Sequence, residues 1–425
     1  MEKNLFDNMI QDRRKIHMCP EEGWTEFDTT YYIVCRLKEM GYQTILTGRQ
    51  MIDPDSVMGR NPAVVREAIE RAERDGVPHE FIEKCDEYTG AVAILGSGRP
   101  GPVTAFRFDI DGLCVQESDS LDHLPTKQGF ASKRSGRMHA CGHDGHTAVG
   151  LAVAQWLIEH QEELNGTFKL IFQPAEEGVR GAAAIVGSGL LDDVNFILGS
   201  HCGGRAKLGQ MALVHGGVLA SIKYDIFFKG TPSHAGSSPQ TGHSALMAAC
   251  ATSMMLVGIP RHGEGVSRVA VGTLHAGEGR NITPVHAKIE CEIRGETEEV
   301  LQYLAKNVEK IVRGNAISYE VESRIEKAGY STTLIECPEI LETLREIGNE
   351  IPEVKEIIDL NEPVGGEDYT LMIKRAVEKG GRGAMFRWGC NHHGHHKGDF
   401  DLQDTESMSM GFEVFTRFAK KINGR

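Results

Sequence analysis

The sequence predicts an α/β protein: a mostly parallel-sheet α/β domain interrupted by a smaller, ferredoxin-like α+β domain. Three observations lead there. Strand, helix, strand, helix and strand patterns alternate between residues 91 and 201, the order of a parallel sheet with crossover helices. Between 221 and 325 the order changes to β-α-β-β-α-β, a ferredoxin-like arrangement. After 337 the chain returns to helices and a strand. The 425 residues hold two or three domains at ~150 residues each. The expected boundaries are 1–218 with 329–425 for the larger domain and 219–328 for the inserted one. A helical insertion is expected at about 53–90.

The elements follow in order. Residues 4–40 read as helical, with Leu5, Met9 and Ile16 and then Tyr32, Val34 and Leu37 as apolar positions around a loop near Pro20. Residues 62–88 read as two charge-rich helices broken at Asp75-Gly76. AVAIL (91–95) and VTAFRFDID (103–111) are strands. The segment 147–160 is apolar nearly all round, as a buried helix is. TFKLIFQ (167–173) is a strand, 178–190 a Gly/Ala-rich helix and NFILGSH (195–201) a strand. In the inserted domain, 221–230 alternates like a half-buried strand, and the uncharged 244–260 stretch is a helix. Strands at 269–277 and 286–295, a helix at 297–313 and a strand at 317–325 complete it. Helices near 337–350 and 367–379, a strand at 383–388 and a helix at 404–421 close the chain.

Composition excludes several functions. With 46 basic and 60 acidic side chains the net charge is −14, which lacks the basic footprint needed for nucleic acid or an anionic membrane. The longest uncharged run, Ser244 to Pro260, is rich in Ala, Ser, Thr and Met and shorter than the ~20 apolar residues of a spanning helix. The N-terminus has no apolar signal core. Ten scattered cysteines form no C-x-x-C pair, so the expected compartment is the reducing cytoplasm. Gly96-Ser-Gly98-Arg-Pro-Gly101 matches a dinucleotide fingerprint in letters. Prolines and a following strand make it a β-hairpin turn instead. No P-loop, H-E-x-x-H or deaminase signature is present.

Four stretches set metal-binding side chains beside glycines: His139-Ala-Cys141-Gly-His143-Asp144-Gly-His146, Glu176-Glu177-Gly178, Gly199-Ser-His201 and His392-His393-Gly-His395-His396. Each alone has a plain structural explanation. Together they supply imidazole, carboxylate and thiolate, the donors divalent transition metals take. Three of them fall at or just after strand ends, which converge on one edge of a parallel sheet. A cation there also explains two adjacent glutamates, which otherwise repel. Asp109 and Asp111 end a strand two residues apart and face one side, where they would orient a ligand imidazole or thiolate.

This string of DxD, HACGHDGH, QPAEEG, GSH, TPSHAG, GRNITP, GGED and a final histidine cluster before DFD resembles the dinuclear metallo-amidohydrolases, among them aminoacylases, hippurate hydrolases and auxin-conjugate hydrolases. The resemblance spans nearly the whole chain. Within it, DPDSVMGRNP, FDIDGL, FQPAEEGVRGA, GEGRNITP and GGEDYTLM are most similar to the branch that cleaves p-aminobenzoyl-glutamate. The resemblance implies a metal-binding catalytic domain and an inserted lid or dimerisation domain. It implies two divalent ions per subunit, Mn2+ or Zn2+, held by Cys141, His143, Glu177, His201 and His396, with Cys141 between them and His395 as the rival of His396. Glu176 is the implied general base. His234, reaching from a partner subunit, is the implied oxyanion donor. Arg280, Asn281 and Arg294 would bind substrate carboxylates, for which arginine forks are suited. His146 and His243 read as structural. Glu367-Asp368 either supports the His396 loop or caps a helix. The expected reaction is cleavage of an N-acyl amino acid, foremost p-aminobenzoyl-glutamate to p-aminobenzoate and glutamate. The alternatives are other N-acyl amino acids or dipeptides, and a non-catalytic metal-binding partner subunit, which Glu176 argues against. The expected assembly is a homodimer, or a heterodimer with a related subunit.

Overall fold

A computed structural model of the chain describes residues 2–361 and 365–425. The described strands are β1 (Thr44–Leu46), β2 (Ala91–Gly96), β3 (Val103–Asp109), β4 (Thr167–Gln173), β5 (Phe196–Cys202), β6 (Gln210–Val214), β7 (Ala220–Lys229), β8 (Ser267–Ala276), β9 (His286–Gly295), β10 (Glu322–Ser331), β11 (Glu356–Leu360) and β12 (Arg382–Trp388). They form two sheets, ordered β1-β2-β4-β3-β5-β12-β6-β11 and β10-β7-β9-β8. The smaller sheet belongs to a compact unit built on Gly217–Thr333, and the larger sheet to the other unit.

In the larger unit β4, β3, β5 and β12 run parallel, so their C-terminal ends open at one edge. β6 and β11 pair with each other in parallel but run against β12, and β1 and β2 form an antiparallel margin. The helix His143–Glu159 is buried around most of its circumference, as its composition predicts. It packs so close to the sheet that a side chain at Gly150 would meet the Phe108 ring at 2.6 Å.

Two local expectations are corrected. The segment Gly96 to Gly101 is not a hairpin turn. β4 lies between β2 and β3, and pairs with both. Gly166, at the start of β4, wedges into the connection, donating to Arg99 O at 3.0 Å and accepting from Ser97 N at 2.9 Å. The helix expected over 178–190 is only Ala182–Gly187. The backbone is left-handed at Ala175, Gly178 and Val179, which no helix tolerates. β1, β6, β11 and the short helix Leu124–Gln128 were not anticipated.

The smaller unit has the expected order: β7, helix Ala245–Val257, β8, β9, helix Glu298–Ser318, β10. Alternate residues of β7 and β9 point into one core beneath the two helices. The last strand begins later than expected because the preceding helix continues to Ser318.

A buried ionic hub ties the chain's two ends to the helix His143–Glu159. Arg13 is fully buried and bonds Asp144 at 2.7 Å and Asp401 at 2.9 Å, with Asp404 at 3.4 Å. His17 extends the hub, bridging Asp144 at 2.7 Å and Glu117 at 2.9 Å, and His123 reaches Glu117 at 2.8 Å. Removing one partner of such a set strands a buried charge. Burial opposes ionisation of Glu117, but the bonds from His123 and His17 outweigh it and hold its pKa down at about 2, against 4.5. His17 is shifted the other way. Burial and Arg13 oppose its charge, but Asp144 and Glu117 raise it above 6.5. The lowered Glu117 stabilises the fold fully above 4.5, and that contribution fades as pH falls towards 2. The raised His17 contributes fully below 6.5 and fades as pH rises through its folded value. Urea unfolding of wild type and Glu117→Gln should therefore differ most between about pH 4.5 and 6.5. The gap should close as the pH falls towards 2. A gap independent of pH contradicts this assignment.

Candidate metal centre

The open edge of the parallel strands gathers the chemistry. Asp109 ends β3, Glu176 and Glu177 follow β4, His201 lies near the end of β5, and the histidine-rich loop follows β12. Cys141 lies one residue before the N-cap, two residues ahead of the helix His143–Glu159, whose N-terminus favours a thiolate. The turn between them needs Gly142. Its φ is +88°, and a side chain there would collide with Cys202 Sγ.

Neighbouring groups fix which nitrogen of each histidine faces the centre. His143 Nδ1 is 3.1 Å from Asp111 Oδ1, so its proton goes to that carboxylate and Nε2 is left as the inward atom. Asp111 Oδ2 accepts from the Glu177 amide at 2.8 Å, so one buried carboxylate aligns two donors. His201 Nδ1 donates to Cys202 O at 2.7 Å, and its Nε2 lies 3.3 Å from Cys141 Sγ. His396 has φ +61°, a costly backbone for a non-glycine residue, held by its amide bond to Ala140 O at 2.8 Å. Its Nε2 lies 3.4 Å from Glu177 Oε1. His395 is occupied otherwise. Its Nε2 accepts from Gly204 N at 3.0 Å, which leaves Nδ1 as the protonated nitrogen, 3.5 Å from Cys141 Sγ.

The donors group into overlapping sets within 4.8 Å: Cys141 with His143 and His201, Cys141 with Glu177 and His396, and His143 with Glu176 and Glu177. His143 Nε2 and Glu177 Oε1 are buried without a hydrogen-bond partner, a costly state that a cation relieves. Burial would keep His143 neutral, but Asp109 and Asp111 override it and raise its pKa, so positive charge is favoured at this position. Burial, with Arg387 adding to it, keeps His201 well below its ordinary value and therefore neutral, as a ligand must be. The donor chemistry and the orphaned atoms fit a dinuclear metal-binding site for two divalent ions per subunit.

Other predicted residues are placed as follows. Asp109 faces Arg107 at 2.7 Å and His146 at 2.5 Å, and lies 3.7 Å from His143 Nε2. His146 also accepts from Cys202 N at 2.9 Å, so both its nitrogens are used. Asp368 caps a different helix from its own, accepting from Gly181 N and Ala182 N at 3.1 and 2.9 Å and from Gln173 at 2.8 Å. In the smaller unit, His234 is exposed and its Nδ1 accepts from Gly236 N and Ser237 N, both at 3.1 Å. Its remaining Nε2 is therefore the donor. Asn281 O accepts from Ala235 N, which brings Asn281 and neighbouring Arg280 beside His234. Arg294 does not join them. It sits near the far end of β9, eight residues and roughly 26 Å of strand from His286, bonded to Glu292 at 3.0 Å. Arg387 was missed from the sequence. Its signal was a charge inside the apolar strand β12, on the same sheet face as His201.

The chain matches the model of peptidase family M20/M25/M40 over residues 105–421. It is 39% identical over 418 residues to a p-aminobenzoyl-glutamate hydrolase subunit homolog of Haemophilus influenzae, covering 98% of this chain and 99% of that protein. It is 38% identical over 416 residues to an indole-3-acetyl-aspartic acid hydrolase of Enterobacter agglomerans, covering 97% and 95%. Its structure is similar to that of an aminobenzoyl-glutamate utilization protein from Klebsiella pneumoniae, with TM-score 0.84 and 34% identity over 99% of this chain and 96% of the other.

Because Asp111 serves both His143 and the Glu177 amide, Asp111→Asn should weaken metal binding by about 10–100-fold. Competition with a chelator measures this. Unchanged affinity means that Asp111 does not orient the donors.

Proposed function

The chain belongs to peptidase family M20/M25/M40, and from that premise we propose that it hydrolyses p-aminobenzoyl-glutamate to p-aminobenzoate and glutamate. It is a metal-dependent amidohydrolase, and action on N-acyl amino acids is the activity supported within its family. The observation that carries the narrower reading is the pairing of two of its near-full-length relatives. One is named for p-aminobenzoyl-glutamate and the other for indole-3-acetyl-aspartic acid. Both compounds join an aromatic acyl group to an acidic amino acid through an amide. The near-equal identity of the second relative makes indole-3-acetyl-aspartate the second reading.

The proposed ligands are Cys141, His143, Glu177, His201 and His396. The tautomer forced on His395 by Gly204 favours His396 over it. One thiolate suits Zn2+ and the carboxylate suits Mn2+. When bound, two such ions polarise the amide carbonyl and acidify a water. Glu176 is buried beside His143 and Glu177, where a carboxylate takes the proton of the attacking water and returns it to the leaving nitrogen. His234, with its Nδ1 engaged by two amides, presents an Nε2–H suited to an oxyanion. Its proposed place of action is the site of a partner subunit, in a homodimer or a heterodimer with a related chain. Arg280 and Asn281, beside it, are proposed carboxylate binders. Arg294 is proposed for the same role from its own end of the sheet.

All ten cysteines are unpaired, which suits the proposed cytoplasmic location. No helix among the described residues is long and apolar enough to cross a membrane.

The test is release of p-aminobenzoate by the purified chain, chelated and then resupplied with Mn2+ or Zn2+. Restored release supports the reading. Release only from indole-3-acetyl-aspartate moves the assignment to the second reading, and release from neither removes both. In whichever assay is active, Glu176→Gln should lower kcat by about 10²–10⁴-fold with two ions still bound. Full activity in that variant would remove Glu176 as the base.

A further inference from the structure

Arg387 on β12 stands opposite His201 on β5 in a parallel ladder. Residues paired in this way leave the sheet on the same face. Phe386 and Trp388 take the opposite face and are fully buried, so Arg387 is turned towards the side that carries His201. The guanidinium lies over Gly204. A side chain there would come within 2.5 Å of Arg387 Nη1, and Gly204 has φ +69°. The Gly204 amide in turn donates to His392 Nε2 at 3.1 Å and His395 Nε2 at 3.0 Å, and His395 Nδ1 lies 3.5 Å from Cys141 Sγ. Arg387 is thus one loop residue and one imidazole away from the thiolate position.

Its charge stands alone. Arg13 and Arg107, the two fully buried arginines of the same unit, are each held by aspartates. Among the described residues no carboxylate pairs with Arg387, and its Nε is buried without a hydrogen-bond partner. His201 and Ala212, its partners on the two adjoining strands, add no negative charge. A half-buried guanidinium with an unsatisfied N–H carries a desolvation cost that an anion repays, and its planar fork fits a carboxylate.

We propose that Arg387 is a specificity-determining residue that receives a carboxylate of the substrate beside the metal centre. This rests on the reading of the chain as a hydrolase of N-acyl acidic amino acids. The carboxylate belongs either to the α-carbon or to the side chain of the acidic amino acid, and the two mono-amides of the substrate separate these sources.

The test compares wild type, Arg387→Lys and Arg387→Met, each loaded with Mn2+ and checked for two ions per chain. For p-aminobenzoyl-glutamate, Arg387→Met should raise KM about 10–100-fold with kcat within about twofold, and Arg387→Lys should fall between. The mono-amide that lacks the recognised carboxylate should show a high KM in wild type and little further change in Arg387→Met. Loss of kcat or of metal with KM unchanged would instead make Arg387 a positioning residue for the centre and overturn the proposal. Calorimetry with glutamate and aspartate as ligands separates this outcome from failure of the substrate reading. If wild type does not cleave p-aminobenzoyl-glutamate, binding of either amino acid at least about tenfold tighter to wild type than to Arg387→Met still upholds the carboxylate site. Equal binding, or none to either protein, overturns it.

Discussion

The constraint on which the rest depends is the crowding of anionic and lone-pair donors at one buried edge of a parallel sheet. Cys141, Glu176, Glu177, Asp109 and Asp111 lie there with His143 and His201. In a low-dielectric setting such groups cannot all carry their charge without compensation. Without compensation, burial and Glu177 push the Cys141 thiol up to about 12, while Asp109 and Asp111 draw a proton onto His143. Both shifts describe a place that favours positive charge. Two divalent cations meet that demand with the donors where they stand. They also satisfy the His143 and Glu177 atoms that the protein leaves unbonded.

Holding such a set in place requires a rigid surround. The sheet does part of this, because the ends of β3, β4, β5 and β12 are locked in register. Asp111 ties the helix carrying His143 to the loop carrying Glu177. Asp368 ties that loop's far side to Gln173 and to the amides of Gly181 and Ala182. Arg13 anchors Asp144, one residue from His143, to Asp401, which follows the histidine-rich loop. Residues far apart in the chain thus meet through buried carboxylates, each of which accepts from more than one donor. Some of the backbone strain falls on the parts that present side chains: Ala175 and Val179 around the glutamate pair, and His396 in its loop, all have left-handed backbones.

Much of this was legible in the residues. The two domains, the parallel order and the four donor stretches could be read because apolar periodicity and short His/Cys/Glu patterns are local signals. What was not legible depended on distant pairings. The connection at Gly96 to Gly101 looked like a hairpin because nothing nearby reveals that β4 enters between its flanks. The strands β1, β6 and β11, of three to five residues, were too short to show a period. The rivalry between His395 and His396 turns on one amide, that of Gly204, nearly two hundred residues earlier. Arg387 was hidden because its meaning comes from standing next to His201 without a carboxylate of its own.

Anomalous diffraction from crystals of the manganese- or zinc-loaded chain, collected at the metal edge, tests the central claim most directly. The account predicts two peaks per chain, about 3.5–4 Å apart. Cys141 Sγ should lie close to both, with His143, Glu177, His201 and His396 completing the coordination. A single peak, or ions held by His392, His393 or His395 with Cys141 left aside, would contradict it.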